Sequence, residues 1–122
     1  MAILKNLMGT GVPGGTAIAI CGKASSGLVA TGATQGAQPI ENEIVAYATG
    51  TASYGPTLPA GSAGDTYVIG NNTANTMNVW PPVGGVIQAG AVDAADTILT
   101  ARSAIYVCLG GLNYIHTQGA AA

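Results

Sequence analysis

Between Leu58 and Tyr114 short apolar runs alternate with residues that turn a chain back on itself: Leu58-Pro59, Gly64-Asp65, Tyr67-Val68-Ile69, Asn71-Asn72, Met77-Asn78-Val79-Trp80-Pro81-Pro82 and Gly84-Gly85-Val86-Ile87. Each run is of strand length, and the breaks recur roughly every eight to twelve residues, the cadence of an all-β sandwich or barrel. The stretch holds few ionisable side chains. It reads as a surface made to be packed against rather than a pocket made to react.

The expected strands are Leu28–Thr31, Glu43–Thr49, Asp65–Gly70, Met77–Pro81, Val86–Ala89, Asp96–Thr100, Ala104–Leu109 and Leu112–His116. They predict a jelly-roll-like sandwich or barrel of about eight short antiparallel strands. The β domain occupies residues 25–117, and residues 118–122 form a flexible tail. Side chains alternate along a strand, so Ile105, Val107 and Leu109 share one face while Ala104, Tyr106 and Cys108 share the other. Both faces are apolar, as in a strand central to a sandwich or one covered by a neighbouring subunit. Gly110-Gly111 is a hairpin signal, since glycine accepts the positive φ of a tight primed turn. Pro81-Pro82 ends the Trp80 strand because proline donates nothing to a ladder.

Residues 1–24 form an extended N-terminal arm. Ile3, Leu4, Leu7 and Met8 are spaced for about one and a half turns of helix. Gly9, Gly11, Pro13, Gly14 and Gly15 then stop that helix and act as a hinge. An apolar tip on such a tether suits docking on another protein, or tucking onto its own domain. Ala17-Ile18-Ala19-Ile20-Cys21 reads as a further strand ending at Gly22.

Composition narrows the function classes. The 122 residues make one domain with a thin core, Leu, Ile, Val and Phe supplying roughly a fifth of the chain. Charged residues are 7% of the composition, against roughly a quarter in an ordinary soluble domain, and the net charge is -2. A surface so weakly charged repels little and favours association. Lys5, Lys23 and Arg102 are too few to neutralise the phosphates of a nucleic acid. No eighteen-residue apolar run predicts a membrane span, and the N-terminus has neither the apolar core nor the cleavage site of a secretory signal. Cys21 and Cys108 are expected as buried thiols, a disulfide between them being the alternative.

Motifs with chemical potential fail on context. Gly9-Thr10-Gly11-Val12-Pro13-Gly14 has the dinucleotide-binding spacing, but Pro13 and the missing helix and distal acid contradict it. His116 is the sole histidine; a catalytic set would pair it with Cys21, Cys108 or a serine, and with Asp93 or Asp96 as orienter. A histidine closing a strand is the commoner reading, so no catalytic residue and no enzyme activity is expected. Cys21, Cys108 and His116 lack chelating spacing, and Glu41 and Glu43 read as a solvated edge; no metal and no cofactor is expected. Asn71-Asn72-Thr73 is formally a glycosylation sequon, which without secretion means nothing. Trp80, with Tyr54 and Tyr67, has the residue types of a sugar platform, though a core anchor is the commoner role.

Gly32-Ala33-Thr34-Gln35-Gly36-Ala37-Gln38-Pro39-Ile40 leads through Glu43 and Val45 to Leu58-Pro59; Ala63-Gly64-Asp65, Val68-Ile69, Asn71-Asn72, Val79-Trp80-Pro81-Pro82, Gly84-Gly85-Val86-Ile87 and Tyr106-Val107-Cys108 follow. From about Ser25 to His116 this pattern resembles a small β domain of tailed-bacteriophage virion proteins. The resemblance implies a head decoration (cement) protein that binds the outside of the capsid and stabilises contacts between major capsid subunits. Its implied location is the virion head surface, after assembly in the bacterial host cytoplasm. The alternatives are the attachment domain of a phage fibre or spike and a carbohydrate-binding β module; with no shaft after the domain, decoration is the expected role. The implied partners are the major capsid protein and further copies of the chain, a homotrimer being expected. Ile3, Leu4, Leu7 and Met8 are the expected capsid contacts, and Trp80, Tyr106 and Val107 the expected core or subunit-packing residues.

Overall fold

The computed structural model describes residues 23–118. The all-β class holds: the described residues form seven strands and no helix. These are β1 (Ala24–Ala30), β2 (Ile44–Gly50), β3 (Thr66–Asn71), β4 (Met77–Val79), β5 (Asp96–Ile98), β6 (Arg102–Gly110) and β7 (Asn113–Gln118). A five-stranded sheet runs in the order β1-β2-β3-β6-β7, and β4 and β5 make a separate two-stranded sheet.

Pairing departs from the all-antiparallel expectation. β1–β2 and β2–β3 are parallel, whereas β3–β6, β6–β7 and β4–β5 are antiparallel. Parallel neighbours cannot be joined by a tight turn and need a long crossover. The segments 31–43 and 51–65 provide these crossovers, and they carry Ile40, Pro56, Thr57 and Leu58 into a second layer. Isolated bridges link Pro39 to Thr57 and Thr57 to Trp80, so the second layer is β4 and β5 widened by irregular chain.

Between the layers lies one core. Val45, Tyr47, Ile69, Ala104, Tyr106, Cys108 and Tyr114 come from the inner face of the large sheet, and Leu58, Met77, Val79, Ile87 and Ile98 from the second layer. The arrangement is a two-layer sandwich with one rudimentary sheet, not two four-stranded sheets. Burial pushes the Tyr47 hydroxyl up to about 12, with Glu41 adding to the effect.

Three local expectations meet the structure differently. Gly110 and Gly111 have φ of 125° and 64° and turn β6 into β7, as the paired glycines require. Val86–Ala89 is not a strand: Gln88 adopts a φ of 55°, and the segment makes one parallel bridge, Ile87 to Tyr114. Its backbone nonetheless caps the β7 edge, Gln88 N donating to the Tyr114 carbonyl (2.7 Å) and Tyr114 N to the Val86 carbonyl (2.9 Å). Gln118, expected to open the tail, is the last residue of β7.

Candidate functional site

Two places merit chemical scrutiny: a polar cluster under the end of β7, and the outward face of the five-stranded sheet. In the cluster, Asp96 on β5 accepts three hydrogen bonds at one oxygen. Tyr106 Oη donates to Oδ2 at 2.7 Å, Gln118 Nε2 donates at 2.9 Å, and His116 Nδ1 lies at 2.7 Å. An ionised carboxylate only accepts, so Nδ1 carries the proton in this contact. The His116 ring meets Tyr106 edge-on, with centroids 6.0 Å apart.

The structure thus brings together His116 and Asp96, which the sequence offers as base and orienter. Among the described residues no serine, threonine or cysteine side chain is hydrogen-bonded to the His116 ring. Cys108 is buried beneath the sheet, its sulfur accepting from Gly110 N at 3.3 Å, and Cys21 lies outside the described residues. Asp93, the other proposed orienter, instead staples a loop by accepting from Gly84 N and Gln35 Nε2; these bonds lower its carboxyl below the usual range. Among the described residues no three His, Cys, Asp or Glu side chains converge as a metal site would require.

What the Asp96 cluster does is join layers. β5 belongs to the small sheet, and β6 and β7 to the large one, so one carboxylate ties both. Burial, then the neighbouring carboxylate, pushes the Tyr106 hydroxyl far above its ordinary range, which keeps it a donor. Asp96→Ala leaves that fully buried hydroxyl without its acceptor and is expected to cost about 2–3 kcal/mol, against about 1 kcal/mol for Tyr106→Phe, which removes donor and need together. Urea unfolding of the two variants measures the difference.

The outward face is built by register. Ile44, Val68, Ile105 and Thr117 stand in one row across β2, β3, β6 and β7; Val107 and Ile115 stand in the next, with Thr66. Ala46, Gly70 and Ser103 form the row on the other side. Ile105 is 43% exposed, Ile115 41% and Leu109 57%, while Ile44, Val68 and Val107 are half-buried. A solvated sheet face ordinarily alternates to polar residues. Here it does not. Lys23, Glu41, Glu43, Asp65, Asp93, Asp96, Arg102 and His116 all lie off the outward positions of the five strands.

The expected packing residues divide between the two faces. Tyr106 is fully buried and Trp80 is 8% exposed, so both serve the core, and the indole has no open face on which a sugar could stack. Val107 belongs to the outward face. Ile3, Leu4, Leu7 and Met8, the expected capsid contacts, lie outside the described residues. Alternation in β6 revealed Ile105, Val107 and Leu109; Ile44, Val68 and Ile115 join them only through strand order. Asn71, in the sequon, is buried with both amide hydrogens donated, to the carbonyls of Asn75 (2.9 Å) and Ile98 (2.8 Å). No family model, curated protein or solved structure matches the chain.

Proposed function

We propose that this chain is a structural subunit of a bacteriophage virion, a decoration protein that binds the outside of the head and stabilises contacts between major capsid subunits. The observation that supports an assembling subunit is the uncharged apolar face of the five-stranded sheet, a surface whose exposure to water is unfavourable. The phage assignment rests on the resemblance of the segment from about Ser25 to His116. In this reading, Ile3, Leu4, Leu7 and Met8 dock the arm on the capsid. Linked copies engage several capsomers at once, and effective concentration multiplies modest single contacts by about 100-fold or more.

The test is occupancy on capsid shells. Full-length chain is expected to cosediment with shells that lack their decoration protein, and to raise the temperature at which they open. Deleting residues 2–15 is expected to abolish cosedimentation, with the circular dichroism of the β domain unchanged. Unchanged occupancy of the deletion variant would exclude the arm as the docking element, and failure of the full chain to bind any such shell would remove the capsid role.

A further inference from the structure

We propose that the outward face of the five-stranded sheet is closed by the same face of a second copy of this chain. The inference rests on the reading of the chain as an assembling subunit and puts a two-fold pair in place of the expected homotrimer; the two readings fail separately, since capsid occupancy tests one and mass in solution tests the other.

Charge selects the occupant. In a two-fold contact each side chain near the axis meets its own counterpart, so any charged residue there would face a like charge. The rows containing Ile44, Val68, Ile105, Val107 and Ile115 present none, and the charged side chains of the described domain stand elsewhere. A charged partner would find no complementary group on this face. A second copy brings an equally apolar surface of the same width and twist, and two such sheets stack about 10 Å apart with strands roughly 30° from alignment.

Area sets the strength. Five strands about 4.8 Å apart, each presenting three or four outward residues about 6.7 Å apart, give a footprint of roughly 500 Å² per copy. The pair then buries about 1,000 Å², below the range of stable interfaces and within that of weak, transient ones, so the association is reversible and concentration-dependent. At the β7 edge the 86–88 segment takes the N–H and carbonyl of Tyr114, and the Gln88 side chain the N–H of His116.

Sedimentation velocity of the full chain, from about 1 µM to about 500 µM, reads the outcome directly. The wild type is expected to pass from the 11.9 kDa monomer toward twice that mass. Ile105→Asp at the centre of the face is expected to weaken association at least about 100-fold, since it buries two like charges against each other. Val83→Asp, at a residue 74% exposed in a loop off the sheet, is expected to leave it unchanged. Ile115→Asp provides a second probe of the face if Ile105→Asp does not fold, as judged by Trp80 fluorescence. A monomer at every concentration, association that survives both face variants, or association that appears only when residues 2–15 are removed would overturn the proposal.

Discussion

Asn71→Ala is expected to lower the unfolding free energy by about 3–4 kcal/mol, a large part of what a domain of this size has available. Asn71 is fully buried at the end of β3 and every part of its amide is used. Nδ2 donates to the Asn75 and Ile98 carbonyls, and Oδ1 accepts from Thr73 N (3.0 Å) and Thr73 Oγ1 (2.7 Å). The alanine leaves the Ile98 carbonyl and the Thr73 amide and hydroxyl, all in buried bonds, without the side chain that joins them. Asn71→Asp is expected to be at least as damaging, because it sets a carboxylate oxygen against two carbonyl oxygens. Urea denaturation followed by Trp80 fluorescence, with Asn72→Ala as the exposed neighbour, checks both.

Gly55→Ala is expected to exceed even that loss, by overpacking rather than by removal. A Cβ at this position would stand inside the carbonyl oxygen of Asn78 on β4 and 2.8 Å from Met77 Cγ. The methionine can swing aside, but the carbonyl belongs to the backbone of the small sheet, which is held by its pairing with β5. The crossover and β4 must separate, and with them the layer that covers the inner face. A loss above about 4 kcal/mol is expected, an overpacking penalty on backbone rather than on a flexible side chain. Gly64→Ala is the contrast: a Cβ there meets nothing within 4 Å, and the cost is confined to the positive φ of 93°. The soluble yield and urea midpoint of the two variants separate steric exclusion from backbone strain.

Local rules reached further into this fold than non-local ones. The β6–β7 hairpin was legible because Gly110 and Gly111 lie next to each other in sequence, and their φ preference acts on the chain between them. The residue types of Val86–Ala89 suit a strand, but Gln88 takes a positive φ and the segment makes a single bridge, Ile87 to Tyr114. Antiparallel pairing was expected throughout because neighbouring strands usually form hairpins. β1, β2 and β3 instead run parallel, since the Gly- and Pro-containing segments between them do structural work as the second layer. Asn71 resembled loop material because its partner Ile98 lies 27 residues away. His116 and Asp96 were named as a possible pair, but only the placement of β5 beside β6 and β7 adds Tyr106 and Gln118 to the same oxygen.

The period of two along β6 makes both of its faces apolar before any folding is considered; backbone geometry alone sends Ile105, Val107 and Leu109 one way and Ala104, Tyr106 and Cys108 the other. Nothing in that alternation says which face is inside. Successive crossovers stepping the same way across a sheet lie on one side of it when they share a hand. Those from β1 to β2 and from β2 to β3 bring Ile40 and Leu58 to the core side, where β4 and β5 complete the cover and Asp96 receives the Tyr106 hydroxyl. Among the described residues nothing covers the face of Ile105, because both connections, and the small sheet they support, went to the other side.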